Sequence, residues 1–362
     1  MVLHKDKFHS FDALRFLSFT VVFLSHLPFD LFSNSYSTLF KNRGYIGVEF
    51  FFVLSGFLIT YILLNEKRNG NQINLKNFFI RRILRIWPLF YLMILFAYLS
   101  PFIITHLGLT FSEEGYQPNY FYSCLFLENY QTIFKHQFPN VIPLPVFWSL
   151  CIEEHFYIIW GVLLYYVNKK RIPFLITTLL FLATFFRYLF LKNDLLFLDL
   201  STNVDFFMFG AIPAYLYSYY KEELLVFLKQ RSNKIKSLIL SITVLYVLFS
   251  GKIRFKNYEL IEPILFGCLF SLCLFIFIPK DNSFKIKDNN ILSKLGVYTY
   301  GLYLTHFIAI SLVKKLFIKL NISFDRNFLL FITCSLLITI LASYISYTVI
   351  EKPFLNLKKY FY

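Results

Sequence analysis

GVEFFFVLSGFLIT, residues 47–60, sets a carboxylate, Glu49, at the head of one of the most apolar runs in the chain. Ionised side chains are costly in hydrocarbon, so Glu49 either lies at a solvated interface or faces a protected polar site. Working outward from this stretch decides the fold class. Hydrophobic residues make up 57% of the 362 and charged residues only 16%, and the mean hydropathy is +0.58. That balance excludes an ordinary soluble enzyme and implies a polytopic membrane protein.

Apolar runs of roughly 17 to 25 residues, the length a helix needs to cross about 30 Å of hydrocarbon, recur along the whole chain. The pattern predicts an all-α bundle of about ten membrane helices, over 10–29, 46–64, 87–106, 147–167, 172–191, 203–220, 237–251, 260–278, 296–313 and 327–349. The first run is read as a retained helix, because Pro28-Phe29-Asp30 follows it where a cleaved leader has small residues. The whole chain, 1–362, is expected to be one integral-membrane domain, with its longest loop, about 107–146, outside as a lid or binding element.

A formal net charge of +15 raises the question of nucleic acid, but the cations lie between the apolar runs and form no soluble patch, so no nucleic-acid partner is expected. They report topology. With the N-terminus inside, 23 Lys and Arg fall in inner segments and 11 in outer ones, which favours cytoplasmic placement of both termini. The five cysteines include no CxxC spacing, so neither a disulfide framework nor a metal site is suggested, and no bound cofactor is expected.

At about 1.5 Å of rise per residue, this topology converts position into depth. His26, Glu49, Glu153 with Glu154, Arg187 and Asp205 then come from five different helices to the outer third of the membrane. Glu49 reads as one member of a polar cavity in which opposite charges and hydrogen bonds reduce the cost of burial. Arg81, Arg82 and Arg85, in RRILRIWP, enter the third span from inside, and Arg15 lies near the inner end of the first. Spacings of three and four place the guanidinium groups on one helix side, and planar forks suit phosphate oxygens. Each residue alone has a plainer reading: a structural histidine, a topology anchor, close helix packing at Ser55 and Gly56, an interfacial belt residue at Trp148.

The ordered strings FDALRFLSFTVVFLSH (11–26), GVEFFFVLSGFLIT, RRILRIWP (81–88), WSLCIEEHFY (148–157), GVYTYGLYLTH (296–306) and VIEKPF (349–354) resemble the motifs of the acyltransferase-3 family of integral-membrane acyltransferases. The resemblance implies transfer of an acyl group, typically acetyl from acetyl-CoA, to a hydroxyl of an envelope glycan or lipid-linked sugar, in the bacterial cytoplasmic (inner) membrane. It makes His26, separated from Arg15 by ten residues, the expected catalytic residue, and Glu153 or Glu49 is expected to orient and charge-stabilise it. It makes Arg15, Arg82 and Arg85 the donor-binding set. Ser55, Trp148, Ser149, Asp205, Tyr300 and His306 are expected to line the site. The first string opens Phe-Asp-Ala where Leu-Asp-Gly is common, and the esterase-like domain fused to some members is not expected here.

On these expectations acyl-CoA docks from the cytoplasm and His26 acts as general base at the far end of its threaded arm. Direct transfer and an acyl-histidine intermediate stay open. The rival reading is a transporter or flippase of a lipid-linked or small-molecule substrate.

Overall fold

A computed structural model describes residues 6–32, 41, 43–70, 72–106, 115–253 and 255–361. Lys5 and Arg254, counted above among the inner and outer cations, and positions 107–114 of the long loop lie outside the described residues. The described chain is all-α: α1 Phe11–Ser25, α2 Gly44–Gly70, α3 Leu75–His106, α4 Tyr120–Cys124, α5 Glu128–Lys135, α6 Phe147–Tyr166, α7 Ile172–Lys192, α8 Leu200–Tyr219, α9 Lys221–Gln230, α10 Asn233–Phe249, α11 Tyr258–Phe277, α12 Ile291–Gly296, α13 Thr299–Lys319, α14 Phe328–Ser346 and α15 Lys352–Leu357.

Among the described residues eight helices are long and apolar enough to cross a membrane. Two of the ten expected spans are not among these eight. The first, expected over 10–29, is a 15-residue helix that stops at Ser25, because Pro28 soon breaks the pattern. The sixth matches α8, which has the length but carries Ser201, Thr202, Asn203 and Asp205 in its first turns. The third expected span lengthens inward: α3 begins at Leu75, so RRILRIWP lies inside one continuous helix and not at its entrance.

Contacts divide the chain into two compact units. The first comprises Met1–Ser25, Tyr36–Leu64 and Asp205–Thr299, hence α1, most of α2, most of α8, and α9 to α12. Its helices meet through small residues, since without a water-driven force between helices close backbone approach supplies the packing. A Cβ added at Gly56 would lie 2.1 Å from the Phe207 carbonyl oxygen, and one at Gly210 only 1.9 Å from that of Val53. Arg43 closes α10 by donating to the carbonyls of Val247 and Leu248 at 3.0 and 2.8 Å, satisfying acceptors that a helix end leaves open.

The second unit comprises His26–Ser35, Asn65–Val204 and Tyr300–Tyr362. Lys67 caps α6 in the same manner, with Nζ 2.7 Å from the carbonyl oxygens of Leu164 and Val167. The described segment from Gly115 to α6 is built around buried Glu128, whose carboxylate accepts from the hydroxyls of Tyr116 and Ser123. Phe126 stacks on Phe90 of α3, with ring centroids 4.0 Å apart. From Gly115 onward the expected outer loop is therefore a packed cap with two short helices of its own.

Candidate active site

The most informative constellation lies in the second unit, on α13 and the turn that follows α1. Tyr303 and His306 are three apart and so share a helix face. His306 is fully buried, and its Nδ1 lies 2.6 Å from the Tyr303 carbonyl oxygen. A carbonyl only accepts, so Nδ1 carries the hydrogen and Nε2 of the neutral ring presents a lone pair. Nδ1 of His26 stands 3.2 Å from that Nε2 and donates into it. His26 is thereby held as the Nδ1–H tautomer, with Nε2 its basic nitrogen. His26 itself is half-buried, and Phe307 supports its ring edge-on at 5.2 Å between centroids.

Ser149, in the first turn of α6, joins the same face. Its Oγ is 2.6 Å from the Tyr303 hydroxyl, and both hydroxyls reach the Val146 carbonyl, at 3.1 and 3.2 Å. Tyr300 donates to the Ile86 carbonyl at 2.7 Å, tying α13 to α3. Each of these groups is oriented by a backbone acceptor, which fixes side chains more firmly than rotamer preference alone.

A second network runs through α3 and α6. The Tyr157 hydroxyl donates to Glu153, one helical turn back. The Arg82 guanidinium lies between the rings of Phe78 and Tyr157, at 5.7 and 5.6 Å from their centroids, a favourable placement for a cation. Its Nε is buried without a hydrogen-bond partner among the described residues. Arg81 is committed elsewhere, to Glu66 and, at 2.6 Å, to the Phe361 carbonyl. Arg85 acts electrostatically on Glu351, which is buried at the end of a π-helical turn following α14. Trp148 is half-buried at the start of α6, while Glu154 and Arg187 are buried.

Four expected site residues belong to the first unit. Glu49 is 8% exposed, which answers the opening question in favour of a protein-enclosed position over a solvated interface. Asp205 is 1% exposed and accepts from the Phe206 amide at 3.0 Å. Ser55 is half-buried beside the Gly56 crossing. Arg15 pairs with Asp12 at 2.8 Å. Sequence reasoning missed Tyr303 and Tyr157. The first is signalled by its spacing of three from His306, and the second by its spacing of four from Glu153.

The family model described as an acyltransferase domain, of the acyltransferase-3 type, matches residues 8–348. The chain is 27% identical over 322 residues to the peptidoglycan O-acetyltransferase OatA of Listeria monocytogenes, covering 84% of this chain and 49% of that one. It is 29% identical over 367 residues to a putative O-acetyltransferase of Staphylococcus aureus, covering 95% and 56%. A putative peptidoglycan O-acetyltransferase of Bacillus subtilis is 35% identical over 180 residues, 46% of this chain and 26% of the relative. The chain thus spans about half or less of the length of these relatives. No solved structure matches it.

Proposed function

The chain belongs to the acyltransferase-3 family, and on that premise we propose that it is an O-acyltransferase of the bacterial cytoplasmic membrane. It moves an acyl group, acetyl by default, from cytoplasmic acyl-CoA to a hydroxyl of an envelope polysaccharide or lipid-linked glycan. The names of the relatives favour a peptidoglycan acceptor. The observation that carries the reading is the relay from the Tyr303 carbonyl through His306 to His26, because it leaves a basic nitrogen on a residue that is only half-buried.

In the proposed step His26 Nε2 takes the proton of the acceptor hydroxyl as its oxygen bonds to the thioester carbonyl carbon. The tetrahedral intermediate then expels the CoA thiolate, which takes the proton back from His26 and leaves as the thiol. Arg82 and Arg85 hold the donor's phosphates, a role supported by the buried Arg82 Nε and the geometry of the guanidinium fork. Glu153 steadies this network through Tyr157, and Ser149, Trp148 and Tyr300 line it. The residues of the first unit are a separate part of the proposal: Arg15 supports donor binding, Glu49 supplies negative charge, and Ser55 and Asp205 line their own helix crossing.

Release of free CoA thiol by the purified chain, measured with acetyl-CoA and muropeptide fragments, tests the reading. Acceptor-dependent thiol release supports it; vectorial movement of substrate without thiol release would replace it with transport. For Glu49, the amide variant Glu49→Gln is expected to retain more turnover than Glu49→Leu, since it preserves hydrogen bonding. Equal activity of both variants and wild type would remove Glu49 from the mechanism.

A further inference from the structure

Away from these residues, the first unit holds a cavity of about 330 Å³ along α9, at the start of α10 and beyond the end of α11. Five cations line it: Lys221, Lys229, Arg231, Lys236 and Lys280. The acidic groups facing them are fewer. Asp281 lines the cavity, and Asp6 binds Lys221 at 2.7 Å and Lys280 at 3.1 Å. Lys229, Arg231 and Lys236 are left as the positive excess.

Lys236 separates this cavity from an ordinary solvated basic surface. It is only 9% exposed, sits in the first turn of a 17-residue helix and lines the cavity, yet has no hydrogen-bond or ion-pair partner among the described residues. A long cationic side chain buries its apolar stem and keeps its charged head solvated, so the buried stem of Lys236 leaves its ammonium to the cavity it lines. The N-terminus of α10, with Ser232 capping the Ile235 amide, opens on the same space and adds the positive end of a helix dipole.

The setting narrows the ligand. On α9 the apolar side chains of Val226 and Phe227 are exposed, and Arg231 folds back over the Phe227 ring at 4.2 Å. A short helix with bare apolar side chains beside a basic pocket is the pattern of an interfacial element lying at lipid headgroup level. The charge bias assigns these segments to the cytoplasmic side.

We propose that this cavity is a phosphate-binding site at the cytoplasmic membrane surface, with Lys236 and Arg231 as its principal ligands and Lys229 on its rim. Its occupant carries a phosphate ester, either the headgroup of an anionic phospholipid or the phosphate of a soluble nucleotide. The site is independent of the transfer chemistry and stands if that reading fails.

The test uses the full chain with two probes. Dihexanoyl phosphatidylglycerol, against dihexanoyl phosphatidylcholine as neutral control, is titrated onto protein in detergent and followed by native mass spectrometry. In a second arm 3′,5′-ADP is titrated onto protein in phosphatidylcholine nanodiscs and followed by calorimetry. Arg231→Gln, at an exposed position, and Lys236→Met are each expected to weaken the bound probe about tenfold or more, the effect of losing one charge-assisted contact. Lys234→Gln removes the same charge from the same helix outside the cavity and is expected to bind as wild type. The arm in which the loss appears identifies the source of the phosphate. Absence of binding by both probes, or unchanged affinity of Arg231→Gln in both arms, overturns the site; the second measure holds even if Lys236→Met does not fold.

Discussion

Nε2 of His306 lies 3.2 Å from Nδ1 of His26, and this contact sets which nitrogen of His26 is basic. The His306 ring is fixed in turn by the Tyr303 carbonyl. His26→Ala is therefore expected to lower turnover by about 10²-fold or more while the protein still inserts and accumulates. His306→Ala leaves the base in place but releases its tautomer, and is expected to cost about 10- to 100-fold. The two effects are expected not to add, because they act on one proton path. Thiol release by both single variants and the double variant measures this, and additive losses would sink the relay.

The glycine crossing of α2 and α8 gives a prediction about the fold alone. A Cβ at Gly210 would lie 1.9 Å from the Val53 carbonyl oxygen and 2.7 Å from the Phe57 amide nitrogen, and backbone on both sides cannot swing away as a flexible side chain can. Gly210→Val is expected to destabilise the protein by about 3 kcal/mol or more. Gly70, with open space around it, is the control: Gly70→Ala is expected to be neutral or slightly stabilising. Thermal unfolding of the two purified variants separates them.

Much of this architecture was legible because a membrane helix advertises itself through length and apolarity. The expected span 172–191 is α7, Ile172–Lys192, almost to the residue. Helix ends were harder, since α1 stops at Ser25 and leaves His26 in a turn, an event set by local backbone geometry and not by hydropathy. Individual site residues were visible as rare polar side chains in apolar runs. Their pairing was not: nothing in the spacing of His26 and His306, 280 residues apart, says that the rings meet, and Tyr303 was hidden among 26 tyrosines. The cap around Glu128 was read as a loop because its order rests on one buried carboxylate, and a single acidic residue in a polar segment carries no such signal.

That carboxylate supports a pH prediction. Burial pushes the Glu128 carboxyl above the usual carboxylate range, against the hydrogen bonds from Ser123 and Tyr116, which pull it down. An acid raised in the folded state binds a proton more readily there than in the unfolded chain, so acidification through the window between its ordinary and raised values stabilises the fold. Wild type is expected to gain unfolding temperature relative to Glu128→Gln as pH falls through that window, because the amide has no charge to lose. Glu128→Ala strands two buried hydroxyls and is expected to cost about 1–3 kcal/mol at any pH. A constant difference between wild type and Glu128→Gln from pH 8 to pH 5 would mean that the carboxyl does not titrate there.

Arg82 tests the donor assignment. Its guanidinium is held between the rings of Phe78 and Tyr157, and its Nε is buried without a hydrogen-bond partner among the described residues. Both features depend on a planar fork, and lysine keeps the charge but loses the plane. If the group binds donor phosphates, Arg82→Lys removes an interaction made equally in the ground and transition states. The apparent KM for acyl-CoA is then expected to rise about tenfold, with kcat largely kept, provided binding equilibrates before chemistry. His26→Ala is expected to show the converse, donor affinity kept and turnover lost. Arg85→Lys is expected to follow Arg82→Lys in weaker form, since Arg85 also acts on buried Glu351. Arg81→Lys provides the structural comparison: its pairing with Glu66 and the Phe361 carbonyl predicts lower stability without a change in donor KM. Calorimetric titration of acyl-CoA onto the purified variants decides between the roles, and affinity unchanged in both Arg82→Lys and Arg85→Lys would return these arginines to anchoring the helix at the membrane surface.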